Sequence, residues 1–180
     1  MRGAEAVLSF VDFLGEKMVR KHRKEKAYRA PELDLRLRRE RTRREARLLH
    51  KAKLAGVPAP VVYSVDEYSI TMTYVQGRKL EENPEELEEA GRLLASLHDA
   101  GIIHGDFTPY NIVVNKEGLH VIDFGLGFSS SRIEDKADDI ITMLRGIEGK
   151  QHFLEGYSAC RDFEAVLRRK EQIEKRARYQ

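Results

Sequence analysis

The sequence predicts an α+β fold of two small lobes around a shared cleft. The N-terminal lobe is β-rich, and the C-terminal lobe is minimal and helical. Three observations predict it. Strand-like segments cluster before residue 75, on either side of one long charged helix. Gly77 then breaks the chain before a second helix. Beyond that helix the pattern is mostly helical, interrupted by one hairpin signal. Segregation of strands from helices is the mark of an α+β domain. A chain of 180 residues accommodates one domain or two small lobes, here residues 1–75 and 76–180.

Residues 5–10, EAVLSF, and 17–21, KMVRK, read as two short strands around a turn near Asp12 to Glu16. Ala30-Pro31 opens a helix that runs to Gly56, since proline suits a first turn and glycine an end. Residues 61–65, VVYSV, and 69–75, SITMTYV, are strand-like and partly alternating. Asn83-Pro84 starts the second long helix. There Leu87, Ala90, Leu94 and Leu97 share one face, glutamates fill the first turn and Gly101 closes it. NIVV, a Lys-Glu-Gly turn at 116–118 and LHVI read as a β-hairpin. Helices follow at about 134–147 and 161–177, the second aligning Phe163, Val166, Leu167 and Ile173.

Composition excludes several classes. No apolar run approaches the ~20 residues of a transmembrane helix. The start MRGAEAVLSF lacks the layout of a signal peptide. One cysteine, Cys160, excludes an internal disulfide and fits a reducing, cytoplasmic setting. The net charge of +2 hides an asymmetry: residues 17–47 carry 14 Lys/Arg against 5 Asp/Glu, and residues 168–180 carry 6 against 2. A solvated helix face explains many such runs. Two basic ends around an acidic centre favour a polyanionic partner such as RNA.

The chemistry centres on IIHGDFTPYNIVV, residues 102–114, and on VIDFG, residues 121–125. Asp106 and Asn111 lie on one loop, and Asp123 follows the second strand of the hairpin. If the hairpin pairs, Asp123 returns towards Asn111. One carboxylate and one amide then face a common point, which suits Mg²⁺. Asp106 is placed to accept a proton from an attacking hydroxyl or to position a water. A lone Asp or Asn near a turn is usually a cap, but three such residues at the ends of buried strands argue for a site. His104 reads as a support for the loop.

Together these two motifs resemble the catalytic loop and metal motif of the protein-kinase-like fold. The resemblance implies Asp106 as catalytic base, Asn111 and Asp123 as holders of Mg²⁺, and ATP as the nucleotide. Gly105 stands where ordinary kinases have the arginine of His-Arg-Asp, so an arginine grip on a phosphorylated activation loop is not expected. A kinase-like site also needs a phosphate lysine and a glutamate to orient it. Glu45, Leu48, Leu49 and Ala52 lie at i, i+3, i+4 and i+7, which puts Glu45 on an apolar face in need of a cation. Lys21 is assigned that role and the α/β-phosphates, with Arg20 and Lys24 as rivals by register. The bland alternative places Glu45 at the rim, neutralised by Arg41 or Arg44. The stretch Gly3, Ala4, Glu5, Ala6 stands where a phosphate-covering loop belongs, but it has one glycine. Met72 would gate the back of the nucleotide pocket, with the backbone of Thr73, Tyr74 and Val75 facing adenine; SITMTYV is equally a half-buried strand.

Only 57 residues follow Asp123, with no Ala-Pro-Glu, so the peptide-binding platform of ordinary kinases is largely absent. Among small relatives, the chain is most similar to the kinase subunit of the KEOPS (EKC) complex. RGAEA, the run from KHRKEKAYRAPELD to ARLL, AGVPAP, DFGLGFSSSRIEDKADDI and the terminal RARY carry that resemblance from Gly3 nearly to the end. It implies an atypical serine/threonine kinase acting mainly as an ATP hydrolase, serving formation of N6-threonylcarbamoyladenosine in ANN-decoding tRNAs. Its partners would be the threonylcarbamoyltransferase subunit, which is fused to it in some archaea, other small subunits on the N-terminal lobe, and tRNA through the tail RRKEQIEKRARYQ. A solvated helix end is the alternative for the tail. The first strand of the small lobe is expected to be missing or very short, as in a chain cut from such a fusion or one with a trimmed lobe. Asp139 is expected to brace the catalytic loop by accepting backbone N–H bonds. The rival readings are a RIO-like kinase, a small-molecule phosphotransferase of the aminoglycoside or choline type, and a nucleotide-binding scaffold with little turnover.

Overall fold

The structure, a computed structural model, describes residues 6–13 and 15–177. Gly3, Ala4 and Glu5 of the expected phosphate loop lie outside the described residues, as do Arg178 and the expected missing or very short first strand.

Strands β1 (Ala6–Phe13) and β2 (Glu16–Arg23) form an antiparallel hairpin with Leu8 opposite Lys21. Both are longer than the sequence pattern suggests. Helix α1 (Pro31–Leu54) follows, then β3 (Val62–Val65) and β4 (Ser69–Thr73). The sheet runs β1-β2-β4-β3, and Lys21 faces Ile70 across the β2–β4 pair. Helix α1 has Pro31 in its first turn, Glu32 and Asp34 at its positive end, and Lys51 and Lys53 at its negative end. Gly56 and Gly101 follow the last turns of their helices with positive φ, as expected of them.

The buried side of α1 is Asp34, Arg38, Thr42, Glu45, Leu48, Leu49 and Ala52, a stripe at three- to four-residue spacing. Its first half is polar and its second half apolar. Arg38 Nε donates to Asp34 Oδ2 at 2.7 Å, its Nη1 reaches the Arg23 carbonyl at 3.5 Å, and its guanidinium lies 4.1 Å over the Tyr68 ring. The polar half thus holds the end of β2.

After β5 (Arg78–Lys79) comes α2 (Pro84–Asp99), whose N-cap Asn83 accepts from the Glu86 N–H at 2.9 Å. Leu87, Ala90, Leu94 and Leu97 are fully buried, so the expected face is the core face. Strand β6 (Ile102–Ile103) leads to a single 3₁₀ turn (Pro109–Asn111) and to the hairpin of β7 (Ile112–Asn115) and β8 (Gly118–Val121). Strand β9 (Phe128–Ser129) pairs back with β6. Helices α3 (Ile133–Arg145), α4 (Lys150–Tyr157) and α5 (Phe163–Ala177) complete the chain. Val166 of α5 is fully buried, while Phe163 and Ile173 pack at the edge of the core.

The sequence pattern does not announce α4. It packs on α2 at backbone distance: a Cβ on Gly91 would stand 2.1 Å from the Phe153 carbonyl oxygen, and one on Gly156 would stand 1.8 Å from that of Glu88. Among the described residues no helix is long and apolar enough to cross a membrane.

Glu86 ties β5 to α2. Its carboxylate accepts from Arg78 and, at 3.1 Å, from the Glu81 N–H. The Arg78 guanidinium, helped by Asn83 and the Glu81 N–H, holds its pKa down at about 2, against the penalty of burial. The unfolded chain regains an ordinary value of about 4.3. A lowered folded pKa stabilises above the unfolded value, and that contribution is lost as pH falls through the folded value. Glu86→Gln is therefore expected to lower the melting temperature near neutrality and to flatten its acid limb between about pH 4.5 and pH 2, as read by thermal melts across pH. An unchanged acid limb would argue against this ion pair.

Candidate active site

The β7–β8 hairpin does what its sequence spacing requires. Ile112 faces Val121, and the Ile122 N–H donates to the Asn111 carbonyl at 2.9 Å, bringing Asp123 back beside the loop that carries Asn111. Asn111 Nδ2 donates to the carbonyl and to Oδ2 of Asp106, at 2.8 and 2.9 Å. Only an NH₂ group can meet two acceptors, so the amide orientation is fixed and Oδ1 is turned away from Asp106.

The loop is braced from below. Asp139 of α3 accepts the N–H groups of His104 at 2.6 Å and Gly105 at 2.8 Å, as expected of it. Buried His98, at 3.3 Å, must donate Nε2–H to the acceptor-only carboxylate, so its Nδ1 takes the Tyr157 hydroxyl proton at 2.7 Å. Burial outweighs Asp139 and holds the His98 pKa below its ordinary value. His104 is fully buried; its Nε2 donates to the Ile122 carbonyl at 3.1 Å and its Nδ1 accepts the Asp106 N–H at 3.3 Å. Burial lowers its pKa too, so His104 is a neutral strut between the loop and the hairpin.

Gly105 has φ +77°, and a Cβ there would stand 2.6 Å from the Leu126 carbonyl oxygen. Both facts refuse a side chain. The missing arginine is therefore a matter of space as well as of sequence.

Lys21 joins residues from the two halves of the chain. Its ammonium lies 2.7 Å from Glu45 Oε1 and 2.7 Å from Asp123 Oδ1. Glu45 is buried, as its helical spacing predicts, and its second oxygen takes Arg23 Nη2 at 2.5 Å. Of the rivals, Arg20 pairs with Asp66 at the surface, and Lys24 is exposed, as is Arg44. Asp123 is half-exposed and sits at φ +61°. Burial pushes its carboxyl up, but the Lys21 ammonium and the Gly125 N–H outweigh that, and the net pKa lies below the ordinary value. Its Oδ1 is taken by Lys21 and the Gly125 N–H. Among the described residues none donates to Asp123 Oδ2 or to Asn111 Oδ1, and none to the second oxygen of Asp106. A carboxylate oxygen and an amide oxygen without donors, on segments joined by the Ile122–Asn111 hydrogen bond, fit a divalent cation that keeps waters or phosphates for its other positions. Among the described residues no cluster of three or more His, Cys, Asp or Glu could hold a metal alone.

Beside this group lies a cavity of about 170 Å³ walled by Leu8, Ser9, Phe10 and Val19 of β1 and β2, Pro60, Met72, Thr73, Tyr74, Val75, Ile122, Lys21 and Asp123. The nucleotide-pocket residues named from the sequence on β4 and its exit all line it. The Val75 N–H makes no backbone hydrogen bond within the described residues. Ala6, the one described residue of the expected phosphate loop, is buried opposite Arg23 and is not among the cavity-lining residues, which on β1 begin at Leu8. Larger hollows open along the outer face of α1, lined mainly by arginines with Glu32 and Glu40, and away from Lys21, Glu45 and Asp123. Arg23, His98, Tyr157, Pro60 and Ile122 were not anticipated.

Comparison with known proteins gives the family and the fold. Residues 9–140 match the RIO domain family. The chain is 37% identical, over 91% of its length and 89% of the relative's, to a probable serine/threonine-protein kinase BUD32 homolog of Archaeoglobus fulgidus. It is 40% identical over 98% of its length to a probable bifunctional tRNA threonylcarbamoyladenosine biosynthesis protein of Methanosarcina mazei, of which it spans 35%. The fold matches the Rio2 kinase of Chaetomium thermophilum, solved as an ADP/Mg²⁺-phosphoaspartate complex, with a TM-score of 0.69 and 17% identity, over 100% of this chain and 70% of that one.

Proposed function

This chain belongs to the RIO-domain family, alongside the Bud32-type serine/threonine kinases, and on that premise we propose that it is an Mg-ATP-dependent kinase acting mainly as an ATP hydrolase in formation of threonylcarbamoyladenosine on tRNA. The observation that carries the chemistry is Lys21, shared at 2.7 Å between Glu45 and Asp123 on the wall of the cavity.

Each residue then has a physical role. Residues 1–75 and 76–180 act as lobes around the nucleotide. The Thr73–Val75 backbone takes the adenine edge, and Met72 closes the back. Lys21 keeps one ammonium donor for the α/β-phosphates. Asn111 Oδ1 and Asp123 hold Mg²⁺, which when bound neutralises phosphate charge. Asp106, with one oxygen held by Asn111, keeps the other for the proton of the attacking hydroxyl or water. His104 and Asp139 keep that loop from moving.

The chain's similarity to one third of a bifunctional relative favours a threonylcarbamoyltransferase as direct partner, other small subunits of the same complex on the first lobe, and tRNA along the basic tail. ATP hydrolysis measured with and without the transferase tests the reading. Stimulated hydrolysis is expected, and no hydrolysis in either condition would favour a scaffold. For the tail, replacing exposed Arg176 together with Arg178 by Ala is expected to weaken tRNA binding and to reduce the slope of log K against log salt by about 1 to 2. An unchanged slope would leave the tail a solvated helix end.

A further inference from the structure

We infer that Arg23 is a positioning residue for nucleotide binding: it occupies the outer oxygen of Glu45, so that Lys21 stays shared between Glu45 and Asp123. The inference rests on the Mg-ATP reading of the site.

Lys21 and Arg23 are two apart on β2 and share a face of the strand. Both reach Glu45, one on each oxygen, at 2.7 and 2.5 Å. A cation bound by a single carboxylate oxygen has donors to spare, and the second donor of Lys21 goes to Asp123 at 2.7 Å. These contacts form an alternating chain, Arg23–Glu45–Lys21–Asp123. Both cations face the same small space behind Asp123. A Cβ on Gly125 would stand 3.2 Å from Lys21 Nζ and 3.5 Å from Arg23 Nη2.

Arg23 is itself fixed from behind. Its N–H donates to the Tyr68 carbonyl at 2.9 Å, and its carbonyl receives Arg38, which Asp34 and Tyr68 hold in place. That gives the polar half of the α1 stripe a purpose beyond solubility.

Without Arg23, Glu45 keeps a buried charge on an oxygen with no cation, which is costly. The nearest remedy is for Glu45 to take Lys21 with both oxygens. The ammonium is then drawn from Asp123 and from the phosphates, and the site carries an extra negative charge just where an anionic nucleotide must enter.

The test is a cycle of Arg23→Gln, Glu45→Gln and the double variant, with Arg23→Lys as the charge-preserving control. Mg-ATP affinity is read by calorimetry, kcat by hydrolysis, and folding by thermal melts. Arg23→Gln is expected to weaken Mg-ATP binding about tenfold or more while kcat at saturation changes far less, and Arg23→Lys to recover most of the loss. In the Glu45→Gln background, removing Arg23 is expected to cost no further affinity. If Arg23→Gln does not fold, the comparison of Glu45→Gln with the charge-balanced double variant still decides. Affinity equal to wild type in folded Arg23→Gln, or losses that simply add in the double variant, would overturn the inference. Wild-type protein that binds no Mg-ATP would instead overturn the functional reading on which it stands.

Discussion

Asp123→Ala is expected to abolish Mg-ATP turnover, by on the order of 10³-fold or more in kcat, in a protein that still melts cooperatively. The carboxylate is half-exposed and no described residue donates to its Oδ2, so the fold loses little. On the proposed reading the site loses its anionic metal ligand, and Lys21 loses one of its two carboxylate anchors. Alanine at φ +61° adds a strain of about 1 kcal/mol. Asp123→Asn removes that objection, because asparagine tolerates the left-handed region and can still accept the Gly125 N–H. Its amide lacks the charge that Mg²⁺ and Lys21 need, so it is expected to share the loss of turnover. Steady-state hydrolysis beside a thermal melt checks both variants. A rate within about tenfold of wild type for either would remove Asp123 from the metal site.

Asp139→Ala, on α3 beneath the loop, is expected to be the most destabilising single change to the loop's support. The carboxylate satisfies the N–H groups of His104 and Gly105 and the Nε2–H of His98. Orphaning a buried donor costs about 1–3 kcal/mol, so three together imply roughly 3–6 kcal/mol after partial relaxation. For a domain of this size the melting temperature falls about 2–4 °C per kcal/mol, a drop of about 6 °C or more. Asp139→Asn keeps one acceptor but turns an NH₂ towards donors, and is expected to fall between alanine and wild type. Calorimetric or urea unfolding checks the order. A shift under about 2 °C for Asp139→Ala would mean that water replaces the brace.

Motif and helical spacing together singled out most of the residues that the structure gathers around Lys21, because these residues coincide with element ends. Asp106, Asn111 and Asp123 stand at the mouths of apolar strands, and Glu45 betrays itself by sharing a helical face with Leu48, Leu49 and Ala52. Arg23 was hidden by its neighbours. In a run with 14 basic residues from 17 to 47, nothing local says which cation is buried. The spacing of Asp34, Arg38 and Thr42 held a signal, since all three continue the stripe of Glu45, but polar residues do not register in a search for apolar periodicity. Helix α4 was missed for a different reason. Its eight residues are held by backbone contact through Gly91 and Gly156, a tertiary fact with no periodic signature. The two-residue pairings of β5 with β7 and of β6 with β9 are likewise created by neighbours distant in sequence.

An arginine cannot be put back before Asp106 by a single codon change. The Leu126 carbonyl occupies the place where its Cβ would begin, and the backbone at Gly105 is wound the wrong way for it. To make this protein answer to a phosphorylated loop as ordinary kinases do, an engineer would have to rebuild the segment after Asp123 and reset the loop together. On the proposed reading, control of its activity is expected to come from whatever docks on the outside.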